Sequence, residues 1–204
     1  MIPHNIHRIW VAESGPMPDE FVNYGRTWRD LNPDFNYYEW HSFPEWGINR
    51  HEWNVVNTFS EKSDILRYET VYRFGGVYVD TDFEAFMPIG DLIDKAEDRF
   101  VACPEFIRDG VYHFAAGFFA APAGHPLLLE IIENMPHSVA VNDHPTTRAG
   151  PTYLQSILHK HMDELVIVPG ELFYPYHGGQ HWDHSQHPNA MAAHHWAASW
   201  RNQI

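Results

Sequence analysis

Apolar and polar positions along the chain switch between two periods, and the switches mark out elements. NIHRIWV (5–11) reads as a first buried strand. SGPMPDE (14–20) is a turn followed by a helix start, after which Phe21, Tyr24, Trp28 and Leu31 recur at helical spacing until Asn32-Pro33 stops them. FNYYEWH (35–41) is a second strand candidate, followed by a connection punctuated by Pro and Gly. Ser60-Glu61-Lys62-Ser63 opens a helix with apolar positions Ile65, Leu66, Tyr68, Val71 and Tyr72, and Gly75-Gly76 ends it. VYVD (77–80) is then a strand running directly into Asp80-Thr81-Asp82. RFVACPE (99–105) and FAAGFFAAP (114–122) read as further strands, Pro126 to Asn134 as a helix, Gly150-Pro151 to about Lys160 as another, and LVIVP (165–169) as a last buried strand. The tail from about 174 has little periodicity. Strands alternating with helices predict an α/β fold with a mostly parallel sheet, and no repeat or low-complexity linker divides residues 1–204 into more than one domain.

The chain of 204 residues is long enough to bury roughly 70% of its unfolded surface. Acids number 27 and bases 13, so the net charge of −14 argues against phosphate backbones and anionic membranes as partners. The lone Cys103 excludes an internal disulfide framework and a cysteine-based zinc cluster. No apolar run is long enough to span a membrane, and MIPHNIHRIW has neither a basic n-region nor an apolar h-region. The expectation is a soluble, cytoplasmic protein without a membrane anchor.

Candidate chemistry begins at Asp80-Thr81-Asp82. Carboxylates two apart on an extended segment point to one side, and these follow the carboxyl end of a buried strand, where open α/β sheets bind ligands. Such a pair suits a hard divalent cation that shares its coordination shell with a diphosphate. By itself an Asp-x-Asp arises by chance about once in a chain of this composition, so the preceding GGVYV carries the weight. Asp64 and Arg67, three apart beside Ser63, share a helix face; they read either as an ordinary capping and ion-pair arrangement or as polar groups delivered to the same cleft. In the tail, His194 or His195 could complete a site of mixed carboxylate and imidazole ligands, which suits Mn²⁺ as well as Mg²⁺, or both could be plain polar residues. His181, His184 and His187, with His177 nearby, could make a small zinc site, but a solvated loop is the preferred reading because no Cys or Glu stands at ligand spacing.

The order IHRIW, SDILRYETVYRFGGVYVDTD, AGP and HHWAASW resembles family 32 of the glycosyltransferases, DXD-containing sugar transferases of the GT-A fold. The resemblance implies a metal-dependent, retaining transferase that moves a hexose from a UDP- or GDP-sugar to a hydroxyl acceptor, a glycan, as in polysaccharide biosynthesis. It implies that Asp80 and Asp82 are the DXD pair, that Asp64 and Arg67 hold the donor sugar and its phosphate side with Ser63 beside them, and that Ile9 and Trp10 line the base pocket. His194 is the preferred tail ligand and His195 the fallback. Ser199 and Trp200 resemble a pair that closes over the diphosphate, and Gly150-Pro151 the start of an acceptor-side helix. Ala198 departs from the Gly many members carry. Acceptor contacts are expected in segments 43–58 and 105–113. The competing readings are a sugar- or nucleotide-binding module without turnover, and a transferase acting on modified DNA, which the net charge disfavours.

Overall fold

The computed structural model describes residues 1–197, so the expected roles of Ser199 and Trp200 lie outside the described residues. In chain order the elements are β1 (Asn5–Ile9), α1 (Asp19–Leu31), β2 (Asn36–Trp40), α2 (Arg50–Val55), α3 (Phe59–Phe74), β3 (Gly76–Val79), β4 (Phe83–Ala85), α4 (Gly90–Ala96), β5 (Phe100–Arg108), β6 (Val111–Ala121), α5 (Pro126–Val141), α6 (Pro145–Arg148), α7 (Pro151–Leu158), β7 (Leu165–Ile167) and β8 (Ala192–His194). Six strands form the central sheet in the order β2-β1-β3-β6-β5-β7. The pairings of β1 with β2 and β3, and of β5 with β7, are parallel, while β6 runs antiparallel to both its neighbours.

The side-chain alternation of the strands builds a core on each face of the sheet. Tyr78 and Phe119 pack with Ile65, Leu66 and Tyr68 of α3, Ile131 and Ile132 of α5 and Leu154 of α7. Val77, Val79 and Phe118 pack the other way, against Trp28 of α1, Ile89 just before α4 and Ile93 of α4. Helices on both faces of an α/β sheet confirm the expected fold class. Among the described residues no helix is long and apolar enough to cross a membrane.

The helix that leads to the Asp pair starts earlier than expected. Thr58 caps α3 by accepting from the Glu61 N–H, and the Glu61 carboxylate accepts in return from the Thr58 N–H. Ser63, Asp64 and Arg67 therefore lie in its second and third turns. Gly75, at φ 63°, ends the helix; a Cβ there would stand 2.6 Å from the Ala123 nitrogen, so the turn into β3 admits no side chain.

Besides the short helices α4 and α6, three features escaped the sequence pattern. The first is α2, only six residues long. The second is the outer half of the β5–β6 hairpin, which turns through Asp109 and Gly110, both at positive φ. The third is the small sheet of β4 and β8, in which Phe83 pairs with His194 across 111 residues of chain. In addition α5 continues to Val141 through Pro136, beyond the Asn134 expected from the sequence. A proline cannot donate to the carbonyl four residues back, but the Asn49 side chain does so instead, with Nδ2 3.0 Å from the Ile132 oxygen.

Candidate active site

The carboxyl ends of β1 and β3, the second and third turns of α3 and the β8 strand surround a cleft of about 540 Å³. Ile9, Trp10, Ser63, Asp64, Arg67, Asp80, Asp82 and His194 all line it. Burial explains why Arg67 is central. Its Nη2 lies 2.9 Å from Asp64 Oδ1 and 3.2 Å from Asp80 Oδ1, and its Nη1 donates to the Ala116 carbonyl at 2.7 Å. The guanidinium also lies 4.6 Å from the centre of the Tyr78 ring. Burial by itself would lower the Arg67 pKa, but Asp64 and Asp80 carry it above its ordinary value, so the cation stays charged. For Asp64 burial wins: despite Arg67 its pKa is pushed up to about 7. The Tyr78 hydroxyl donates to Asp80 Oδ1 at 2.6 Å and fixes the first aspartate of the pair from below.

Asp82 and His194 make the other half of the centre. His194 Nε2 lies 3.1 Å from Asp82 Oδ1 and 3.9 Å from Asp80 Oδ2. Burial opposes charge on both partners, yet their attraction holds Asp82 below the usual carboxylate range and His194 above the usual imidazole value. The Ala197 N–H donates to Asp82 Oδ2 at 3.0 Å, which anchors the tail to the aspartate. Asp80, Asp82 and His194 each offer an atom within 4.8 Å of the others, the only such grouping of three among the described residues. Two carboxylates and one imidazole converging at this spacing fit a divalent cation of the Mn²⁺ or Mg²⁺ type. His194 Nδ1 is buried without a hydrogen-bond partner and lies among the rings of Phe83, Tyr174 and Trp196, so the ring is held by packing.

His195 goes elsewhere. One position along, it projects from the opposite side, where its Nε2 meets Glu84 Oε2 and its Nδ1 the Tyr176 hydroxyl, each at 3.0 Å. Of the two tail imidazoles the structure thus brings His194, and not His195, to the aspartates. Gly150 abuts Asp64, since a Cβ on it would lie 3.1 Å from Asp64 Oδ2. The histidines at 181, 184 and 187 do not converge; His184 packs on Phe86 and His187 on Trp182.

Several contributors were not singled out as individual residues in the sequence. Arg8 is buried beside the pair and donates to the carbonyls of Phe21 and Thr81, which pins the loop between Asp80 and Asp82. Gly117 leaves bare the floor beneath Asp80: a Cβ there would stand 2.7 Å from Asp80 Oδ2. Tyr174 and Glu105 also line the cleft. Arg8 stood in IHRIW, Gly117 in FAAGFFAAP and Glu105 at the start of the expected acceptor segment 105–113, but neither their burial nor their direction was readable there.

Asp64, Arg67, Asp80 and Asp82 lie in a segment with known relatives. Residues 18–99 match the family described as "Glycosyltransferase sugar-binding region containing DXD motif". Over those residues the chain is similar to glycosyltransferase family 32. Inositol phosphoceramide mannosyltransferase 3 of Schizosaccharomyces pombe is 28% identical to this chain over 142 residues, 66% of this chain and 37% of that protein. The chain thus spans little more than a third of that relative's length. Among solved structures, the PaToxG glycosyltransferase superposes with a TM-score of 0.67 at 15% identity, over 79% of this chain and 70% of that one. The UDP-bound glycosyltransferase domain from the YGT toxin superposes with a TM-score of 0.56 at 11% identity, over 82% and 79% respectively. These structural likenesses establish the GT-A fold of the chain.

Proposed function

We propose that this chain is a metal-dependent, retaining glycosyltransferase that moves a hexose from a UDP- or GDP-sugar to a hydroxyl acceptor, a glycan or a lipid-borne sugar or cyclitol. The observation that carries this reading is the convergence of Asp80, Asp82 and His194 at the mouth of a cleft whose inner wall is the Asp64–Arg67–Asp80 network. The mannosyltransferase relative supports a hexose as the transferred sugar, and the UDP-bound neighbour supports a nucleoside diphosphate as the leaving group.

Asp80, Asp82 and His194 would hold the cation. Once bound, it would supply Lewis acidity toward the negative charge that builds on the departing diphosphate. Ile9 and Trp10, at the end of β1, face the nucleotide end of the cleft, with the Trp10 indole N–H fixed on the Gly15 carbonyl at 2.8 Å. Arg67 commits Nη2 to the two aspartates and one Nη1 hydrogen to Ala116, which leaves one Nη1 hydrogen for the donor. Its main work is therefore to hold Asp64 and Asp80 in fixed positions. Asp64, the deepest carboxylate, accepts or donates to sugar hydroxyls according to its protonation, since its pKa of about 7 lies near neutral pH. The acceptor hydroxyl attacks from the face the diphosphate leaves, and the departing phosphate oxygen takes its proton.

The test is nucleotide release from a panel of UDP- and GDP-sugars with Mn²⁺, preceded by thermal shifts with UDP and GDP. Metal-dependent release from at least one donor is expected. No release from any of them, with folded protein, would refute the transferase reading.

A further inference from the structure

The cleft holds one carboxylate that the site described so far does not use. Asp64, Asp80 and Asp82 are each tied to Arg67 or His194, but Glu105 lines the same cleft and makes no hydrogen bond or ion pair among the described residues. Its placement comes from an irregularity in the sheet. On β5, Pro104 pairs with Phe114 and Phe106 with His113, so Glu105 is an extra residue with no counterpart on β6. Such a bulge redirects a side chain, and here it turns the carboxylate toward the cleft. On the other side of Pro104, the stretch Ala115–Phe118 of β6 stands opposite Cys103 alone. That second irregularity supplies Ala115, Ala116 and Gly117 to the cleft, a floor with almost no side chain.

A second group points into the same space. Tyr174 is 4% exposed and lines the cleft, yet its hydroxyl is buried without a partner. A Cβ on Gly117 would lie 3.2 Å from that hydroxyl and 2.7 Å from Asp80 Oδ2, so the open ground above Gly117 separates Tyr174 from the aspartate pair. A buried hydroxyl left unpaired is costly, and a ligand that pairs it removes the cost.

Sheet order gives the direction. Reading across, the carboxyl end of β1 carries Ile9 and Trp10, β3 carries Asp80, β6 carries Gly117, and β5 carries Glu105. Neighbouring strands are about 4.8 Å apart, so Glu105 stands roughly 10 Å beyond the aspartates, about the width of one sugar ring with its hydroxyls. The imidazoles of His113, His177 and His194 face Glu105; burial nonetheless outweighs them and holds its pKa above the ordinary carboxylate value.

From this juxtaposition, and resting on the transferase reading above, we propose that Glu105 and Tyr174 form the acceptor subsite. It takes a hydroxyl-rich acceptor, a sugar or cyclitol, on the far side of the donor sugar from the nucleotide. Glu105 accepts hydrogen bonds from hydroxyls next to the attacking one and acts as a positioning and specificity residue, forming no bond to the sugar carbon. Tyr174 donates to an acceptor oxygen.

The experiment uses the donor that the wild-type protein turns over, with Mn²⁺ and with glycerol, myo-inositol or methyl α-mannoside at millimolar concentration. The measured quantity is the ratio of sugar transferred to the polyol to sugar released into water. The wild type is expected to glycosylate at least one polyol. Glu105→Gln, which keeps shape and removes charge, is expected to shift the ratio toward water by about tenfold or more, the effect of losing one charge-assisted hydrogen bond. Tyr174→Phe is expected to move it the same way. A ratio unchanged in Glu105→Gln overturns the assignment. So does a wild type that releases sugar to water but transfers none to any polyol, and so does a sugar ester on Glu105 detected by mass spectrometry, which would make it a nucleophile. A wild type inert toward every donor defeats the transferase reading itself, and this subsite with it.

Discussion

Replacing Arg67 by Met keeps much of the packing volume of α3 and removes only the charge and its donors. Arg67 has a side chain 6% exposed, while its partners Asp64 and Asp80 are 11% and 25% exposed. Breaking a buried pair by deleting one partner costs about 3–5 kcal/mol, because the other charge stays behind in a poor solvent. The Ala116 carbonyl loses its donor as well, for about another 1–3 kcal/mol. Relief comes from Asp64, whose pKa of about 7 is already raised by burial; without the opposing pull of Arg67 it rises further and the carboxyl takes up a proton. The measured loss is therefore expected near the lower end, about 3–5 kcal/mol at pH 8 and less at pH 6, read from urea unfolding followed by circular dichroism. The double variant Asp64→Asn/Arg67→Met is expected to recover a large part of that loss, because the stranded carboxylate is gone. A loss under about 1 kcal/mol at pH 8, or a double variant no better than the single one, would show that the network is not held by this ion pair.

His7 is buried, bonded to the Gly75 carbonyl at 2.9 Å, and its pKa is pushed down to about 4 from 6.5, chiefly by burial. The folded state thus resists its protonation, and the stability this represents is full above pH 6.5 and is lost as pH falls toward 4, by up to about 3 kcal/mol. His7→Phe should flatten that part of the stability–pH curve, and an unchanged slope would refute the assignment. Gly117→Ala places a methyl 2.7 Å from Asp80 Oδ2 and is expected to cost about 1–3 kcal/mol in overpacking and about tenfold in Mn²⁺ affinity by calorimetry. His194→Ala is expected to weaken Mn²⁺ binding by about tenfold or more, whereas His195→Ala, which loses only its contacts to Glu84 and Tyr176, should cost about 1 kcal/mol of stability or less and leave Mn²⁺ affinity within about twofold. Equal effects of the two on Mn²⁺ would contradict the placement of His194 alone beside the aspartates.

How much of this was legible in the sequence depended on chain distance. The run from Ser63 to Asp82 is contiguous, so a helix, two glycines and a strand could be read in order, and they deliver Asp64, Arg67, Asp80 and Asp82 to one cleft as expected. Which tail imidazole reaches the aspartates was left open between His194 and His195, because β8 has three residues and no period can be seen in three; its pairing with β4 decides that His194 faces inward and His195 outward. Glu105 falls at the start of the segment 105–113 expected to contact the acceptor, but its aim into the cleft was not readable, because a bulge is a property of two strands in register. The continuation of α5 through Pro136 depends on Asn49, 83 residues from the carbonyl it satisfies. Arg8, 73 residues from the Thr81 carbonyl it holds, belongs to the same class.

The most direct test of the central claim compares wild type with Asp82→Ala in nucleotide release from UDP- and GDP-sugars in the presence of Mn²⁺, with circular dichroism confirming that both are folded. Wild type should release nucleotide only when the metal is present, and Asp82→Ala should fall to background. Turnover by Asp82→Ala within a few-fold of wild type would contradict the account.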